Sequence, residues 1–114
     1  MYTIEEYDKE KTKVLKYVIY KKRTIREIKT KFKTLIDENM LEDIIEELKG
    51  NGYISDENYI KRAVSEYMAL KNLSIKEIKY KLISKGISNS MVEEYVSENL
   101  EELEEYEQKS ADNI

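Results

Sequence analysis

The sequence predicts an all-α protein built from two tandem three-helix repeats that stack on each other. Three observations support this prediction. The chain of 114 residues contains no proline and only three glycines, so little interrupts a helical pattern. Apolar residues recur at helical spacing along most of the chain. One segment also occurs twice.

The repeat is visible residue by residue. Residues 24–32, Thr-Ile-Arg-Glu-Ile-Lys-Thr-Lys-Phe, match residues 74–82, Ser-Ile-Lys-Glu-Ile-Lys-Tyr-Lys-Leu, at an offset of 50 (74 − 24), and Tyr17 falls on Tyr67 at the same offset. A repeat of this period fixes the architecture. We therefore divide the chain into an N-terminal segment (1–8), a first repeat (9–54), a second repeat (55–106) and an acidic frayed tail (107–114).

Residues 1–6, ahead of the first repeat, are predicted to form a loose start, and the first helix runs to about Lys22. Thr24 and Glu27 have the spacing of a capping box and predict the start of a second helix. The apolar stripe that this helix turns inward comprises Ile25, Ile28, Phe32 and Leu35.

The third helix is predicted to begin at an Asn39–Glu42 cap and to end at Gly50 and Gly52, since glycine adopts a positive φ without steric cost. The junction that follows comprises Gly52, Tyr53, Ile54, Asp56 and Tyr59. Each repeat alone buries little apolar area, so we expect the junction side chains to lie between the repeats. Ser55 or Asp56 is expected to cap the fourth helix.

The second repeat follows the same plan. Asn72 is predicted to end the fourth helix in the left-handed conformation, and Ser74 with Glu77 forms another capping box. Gly86 stops the fifth helix.

The sixth helix is predicted to begin at a Ser90–Glu93 cap and to fray after about Tyr106. Its apolar edge comprises Met91, Val92, Tyr95, Val96, Leu100 and Leu103.

Composition excludes several classes of chemistry. The chain has no Cys and no His, which rules out disulfides, thiol nucleophiles, Cys/His zinc sites and Ser-His triads. The adjacent acids Glu46-Glu47 and Glu101-Glu102 splay around their helices and suit neither a metal nor acid–base work. We expect no enzyme, no cofactor and no small-molecule substrate. The absence of a signal-like or spanning apolar segment predicts a cytoplasmic protein without a membrane partner.

Each repeat starts basic and ends acidic, within a net charge of −4. Residues 9–33 hold eleven Lys/Arg against two Glu, net +9, and residues 37–60 hold eight acids against one Lys, net −7. Residues 61–85 hold seven basic against two acidic residues, net +5, and residues 86–114 hold nine acidic against one basic, net −8. The pattern either balances charge between neighbouring helices or marks a basic face for an anionic partner.

The basic face would use side chains at equivalent places in the two repeats. On the second helix, Arg26, Lys29 and Lys33 fall within about 60° of one another, off the apolar stripe. The candidates for binding phosphate or an acidic partner are Lys22, Arg23, Arg26, Lys29, Lys33, Lys71, Lys76 and Lys79. Tyr17, Tyr67 and Tyr95 are expected in the cores, which leaves Tyr20 and Tyr80 for a weak contact with single-stranded DNA.

Residues 52–59, Gly-Tyr-Ile-Ser-Asp-Glu-Asn-Tyr, resemble the Gly-Tyr-Leu-Asp-Asp-Glu-x-Phe junction of the RecX family, bacterial regulators of the RecA recombinase. The resemblance continues at residues 75–82 and 85–87 and covers about residues 9–100. It implies tandem three-helix repeats in an elongated, curved body that binds the groove of the RecA–single-stranded-DNA filament and damps ATP hydrolysis and strand exchange. Family members usually carry three repeats, so this chain would be a two-repeat short form.

Two other functions remain open on the residues alone. Three-helix units with a basic helix also suit a small helix-turn-helix-like nucleic-acid binder, although the third helix of each repeat is acidic. A protein–protein adaptor unrelated to RecA, working through the Glu-rich tail, is the other.

Overall fold

The computed structural model describes residues 2–112, and its side chains through residue 109. Within this range the chain is all-helical, as predicted, with seven α-helices and no strand. They are α1 (Ile4–Tyr20), α2 (Ile25–Phe32), α3 (Glu38–Gly50), α4 (Asp56–Glu66), which continues as a π-helical turn (Tyr67–Lys71), α5 (Ile75–Ser84), α6 (Asn89–Glu98) and α7 (Leu100–Asp112).

The chain divides into two compact units, Met1–Asp56 and Glu57–Ile114. The boundary proposed from the sequence lies two residues earlier, between positions 54 and 55. Each unit contains one copy of the repeated segment, on α2 in the first and α5 in the second. This arrangement is the predicted tandem repeat of helices.

The first unit packs α1, α2 and α3 around one apolar core. Its buried members are Val14, Val18, Ile28, Phe32, Ile36, Met40, Leu41, Ile44, Ile45, Leu48 and Ile54. Most lie three or four residues apart on their helices, so each helix turns one face inward. The Tyr17 ring meets Phe32 edge-on at a centroid distance of 5.4 Å.

The second unit packs α4, its π-helical turn, α5, α6 and α7 around a separate core. The buried members are Ile60, Ala63, Val64, Tyr67, Ile78, Leu82, Ile87, Val92, Val96 and Leu103. Tyr67 is buried here, as predicted. Asn72, at φ 52°, ends the π-helical turn in the left-handed conformation that the sequence predicted.

Both predicted capping boxes on the repeated segment are present. Thr24 Oγ1 accepts from the Glu27 N–H at 3.1 Å, and Ser74 Oγ accepts from the Glu77 N–H at 3.2 Å. Each glutamate carboxylate in turn accepts a hydrogen bond from the backbone N–H of the capping residue. The start of α2 and of α5 is therefore fixed by local chemistry.

The helix ends at Gly52 and Gly86 are Schellman motifs. Gly52 has φ 84°, and the Tyr53 N–H donates to Leu48 O at 2.9 Å. Gly86 has φ 104°, and the Ile87 N–H donates to Leu82 O at 3.1 Å. A positive φ disfavours any side chain with a Cβ, which explains glycine at both places.

Three predicted helix starts were wrong. The chain is helical from Ile4, not loose to residue 6, because Thr3 forms a capping box with Glu6. The N-cap of α3 is Asp37 rather than Asn39. The N-cap of α6 is Ser88 rather than Ser90. For α3 and for α6, two residues that can cap a helix lie two positions apart, and the earlier of the two is the N-cap.

The stripe of α2 also ends sooner than predicted. The helix stops at Phe32, so the 3.6-residue period no longer applies at Leu35, which is 66% exposed. Ile36 is buried in its place.

The sixth predicted helix is two helices, interrupted at Asn99. Leu100 is 45% exposed, while Leu103 on α7 joins the core. The helix continues to Asp112, so the predicted fraying after Tyr106 is not observed; positions 113 and 114 of the predicted tail lie outside the described residues.

Candidate partner-binding surface

The junction side chains are shared out between the two cores. Ile54 is buried in the core of the first unit, and Tyr59 packs against the core of the second. Tyr53 was expected to be buried, but 45% of it is exposed. It directly follows Gly52 in the Schellman motif, so its N–H is bonded while its side chain is left at the surface.

Asp56 serves the first unit's second helix. Its Oδ1 accepts a hydrogen bond from the backbone N–H of Ile25 at 3.0 Å. Burial raises the pKa of the Asp56 carboxyl, an effect opposed by the Ile25 hydrogen bond and by Lys49. Nothing in the local sequence signals this contact, because the two residues are 31 positions apart.

Most of the predicted basic candidates in the first unit are exposed and unpaired. The exposed candidates are Lys22, Arg26, Lys29 and Lys33. Among the described residues, no carboxylate oxygen lies within 4.0 Å of the side-chain nitrogens of these four. An unpaired exposed cation can meet an anionic partner without first breaking an ion pair.

Arg23 is the exception in the first unit. Its Cζ lies 4.3 Å from the centroid of the Tyr17 ring, a cation–π contact, and the residue is half-buried. Its Nε is buried without a hydrogen-bond partner among the described residues. Arg23 therefore supports the core of the first unit more than it offers charge to a partner.

The second unit divides its candidates in the same way. Lys71 and Lys76 are exposed and have no ion pair with the side chains of residues 2–109. Lys79 lies on α5 with its Nζ 3.2 Å from Glu93 Oε1 on α6. At Lys79 the charge pattern thus balances neighbouring helices, which is one of the two interpretations left open by the sequence.

A shallow cleft of about 240 Å³ lies beside the basic candidates of the first unit. It is lined by Lys29, Lys33, Glu38, Leu41 and Glu42. The two glutamates oppose the two lysines, so the cleft is not a dedicated phosphate pocket. In the part of the chain that the structure describes, no group of three or more Asp and Glu side chains could hold a metal ion.

The exposed aromatic candidates lie where the sequence placed them. Tyr20 is 86% exposed and Tyr80 is 73% exposed. Tyr17 and Tyr95 pack partly buried against the cores of their units. Sequence reasoning missed Leu70, which is 80% exposed at the position equivalent to Tyr20, although the offset of 50 could have found it.

Membrane-spanning helices are absent from the part of the chain that the structure describes.

No family model matches the sequence, but two curated proteins are similar to it over most of its length. The chain is 31% identical over 94 residues to regulatory protein RecX of Clostridioides difficile (strain 630), a match that covers 82% of this chain and 44% of that protein. It is 34% identical over 85 residues to regulatory protein RecX of Finegoldia magna, covering 74% of this chain and 42% of that protein.

A solved structure gives the same fold. The crystal structure of a regulatory protein RecX superimposes with a TM-score of 0.79 at 24% identity, over 92% of this chain and 52% of that one. The chain spans less than half the length of the curated relatives described above.

Proposed function

This chain belongs to the RecX family, a family of RecA regulators, and on that premise we propose that it binds RecA or the RecA–single-stranded-DNA filament and modulates its activity without catalysis of its own. The observation that carries the proposal is the sequence match to curated RecX proteins along about three quarters or more of this chain. Those relatives are named regulatory proteins. The fold agrees with that of a RecX structure.

The surface chemistry supports an anionic partner. Arg26 and Lys76 occupy equivalent positions on the repeated segment, and both are exposed without an ion pair within the described range. In this proposal they contact acidic side chains or phosphates of the filament, together with Lys22, Lys29, Lys33 and Lys71. The protein would work in the cytoplasm, in recombination and repair.

The mechanism we propose is occlusion. A small helical protein seated on RecA blocks a motion or an access route that ATP turnover requires. No bond is made or broken by the regulator, which suits a chain without Cys or His. Direct contact with single-stranded DNA would be a minor addition through exposed tyrosines.

The test is the ATPase activity of RecA on single-stranded DNA with increasing amounts of this protein. We expect inhibition at micromolar concentrations, together with co-sedimentation with the filament. The double variant Arg26→Glu/Lys76→Glu should lose most of this effect and keep the helical circular dichroism signal.

A charge-matched control separates a specific surface from total charge. Lys16→Glu/Lys61→Glu makes the same change of −4 at two exposed lysines outside the repeated segment. It should inhibit like the wild type. If wild-type protein neither binds RecA nor changes its ATPase rate, the proposed function is wrong.

A further inference from the structure

Two large apolar side chains stand in solvent at the same place in both units. Tyr20 is the last residue of α1 and is 86% exposed. Leu70, fifty positions later, lies in the π-helical turn that extends α4 and is 80% exposed. Tyr20 directly precedes the four-residue link (21–24) to α2, and Leu70 stands one residue before the three-residue link (72–74) to α5.

Among the described side chains, no other exposed large apolar residue has an exposed large apolar counterpart at this offset. Among the described residues, Leu35 is 66% exposed, but its counterpart at the same offset is Lys85. Tyr80 is 73% exposed, but its counterpart is Thr30. Tyr20 and Leu70 are therefore the only pair of large apolar side chains, within residues 2–109, that are exposed at both copies of one position.

Each of these apolar side chains is followed along the chain by an excess of positive charge, most of it exposed, although Arg23 contacts the Tyr17 ring and Lys79 pairs with Glu93. After Tyr20, residues 21–29 contain five Lys/Arg and one Glu, and the Glu is used in a capping box. After Leu70, residues 71–79 contain three Lys and one Glu, again used in a capping box. An exposed apolar side chain with cations next to it in the sequence complements an acidic segment that carries an apolar side chain.

The pair favours a protein partner over a nucleic acid. Tyr20 alone could stack on a base, but Leu70 has no ring with which to stack. A leucine and a tyrosine can serve equivalent purposes when both are buried against apolar side chains of another protein. The feature common to the two positions is apolar area.

We infer that Tyr20 and Leu70 are the apolar anchors of two equivalent docking sites, one in each unit, and that each site takes an acidic protein segment bearing an apolar side chain. Because the site occurs twice, the partner presents such a segment at least twice. This inference rests on the proposed function, which identifies the partner as assembled RecA. Two weak contacts on one chain then act together and give a binding stronger than either alone.

The experiment compares Tyr20→Ser, Leu70→Ser and the double variant with the wild type. Each is titrated by fluorescence anisotropy against RecA assembled on single-stranded DNA with a non-hydrolysable ATP analogue, and separately against an oligo(dT) strand alone. We expect each single variant to bind assembled RecA about tenfold more weakly and the double variant about 100-fold more weakly, since buried anchors at separate sites contribute nearly independently. Leu35→Ser is the matched control, since it removes an exposed apolar residue of the first unit without a repeated counterpart, and it should bind like the wild type.

The remaining outcomes contradict the inference in distinguishable ways. If the wild type binds assembled RecA and both single variants bind equally well, the anchors are wrong while the proposed function stands. If only one of the two variants is weakened, the two sites are not equivalent and the inference fails. Weakened binding to oligo(dT) with RecA binding intact would identify a nucleic-acid contact instead. If the wild type does not bind RecA, the proposed function and this inference fall together.

Discussion

Asp56 accepts a hydrogen bond from the backbone N–H of Ile25, and Glu107 does the same for Ile75 in the second unit, at 3.0 and 2.7 Å. The two acceptors are 51 positions apart and the two donors 50. In each unit, three side chains therefore accept hydrogen bonds at the start of the second helix. They are the hydroxyl of the N-cap residue, the glutamate of the capping box and a carboxylate more than 30 positions further along the chain. All of these place negative charge or acceptors at the positive end of the helix dipole.

Removing the Asp56 carboxylate should lower the stability of the first unit. In Asp56→Ala the Ile25 N–H loses its acceptor, so we expect the free energy of unfolding to fall by about 1 kcal/mol, as for other lost helix caps. Urea denaturation followed by circular dichroism measures it. The control is Glu57→Ala, which removes the adjacent exposed acid and should change stability little. An equal loss in both variants would mean that the bond to Ile25 contributes nothing specific.

The pH dependence of stability should differ in sign between two carboxyls. Burial raises the pKa of Asp56 above its ordinary value of 3.8, so the folded state holds this proton more tightly than the unfolded state does. Stability from this group is therefore greatest below pH 3.8 and falls as pH rises through the raised pKa. Asp56→Asn should accordingly gain stability relative to the wild type over that window.

Glu77 should behave in the opposite way. Hydrogen bonds with the backbone and side chain of Ser74 lower the pKa of the Glu77 carboxyl below 4.5. Its contribution is present above pH 4.5 and is lost as pH falls through the lowered pKa. Glu77→Gln should thus be less stable than the wild type at neutral pH, with the difference closing in acid. Denaturation curves from pH 2 to 7 test both variants, and the same slope for the two would contradict the assignment.

Two neighbouring glycines should respond oppositely to alanine. Gly52 has φ 84°, where a Cβ is strained, so Gly52→Ala should reduce the free energy of unfolding by about 1 kcal/mol. Gly50 is the last residue of α3, where nothing lies within 4 Å of an added Cβ. Gly50→Ala should therefore add about 0.5–1 kcal/mol through helix propensity. Thermal unfolding of the two variants is sufficient, and stabilisation by Gly52→Ala would show that the Schellman end is not formed.

Core truncations should act within one unit. Ile44 and Leu82 are both fully buried, one in each core. Ile44→Ala should cost about 2–5 kcal/mol, and amide hydrogen exchange should rise mainly in residues 4–56. Leu82→Ala should cost a similar amount and act mainly in residues 57–109. Loss of protection spread evenly over the whole chain in either variant would mean that the two cores unfold as one.

Local chemistry made much of this fold predictable. The Thr24–Glu27 and Ser74–Glu77 spacings predict two helix starts, the sequence around Asn72 predicts a left-handed helix end, and the structure has all three. These signals involve side chains within three residues of the backbone group they serve, so the sequence contains them directly. Because the two segments match at an offset of 50, the helices predicted for one unit could also be predicted for the other.

The sequence did not predict contacts between residues far apart along the chain, or which of two nearby residues would cap a helix. The Asp56–Ile25 contact joins residues 31 apart, and no periodicity encodes it. Asp37 and Asn39 are both suitable N-caps, and only the folded geometry selects Asp37. The candidate surface was similarly refined by contacts: Arg23 and Lys79 look like free cations in the sequence but are engaged by Tyr17 and Glu93.

The separate cores have an evolutionary consequence. Every buried apolar side chain of the first cluster comes from residues 14–54, and every one of the second from residues 60–103. A gene duplicated, deleted or exchanged at the codons for Asp56 and Glu57 would divide neither hydrophobic interior. Copy number in such a lineage can then change by whole modules, with selection acting on how many modules a genome keeps and each module free to diverge at its surface.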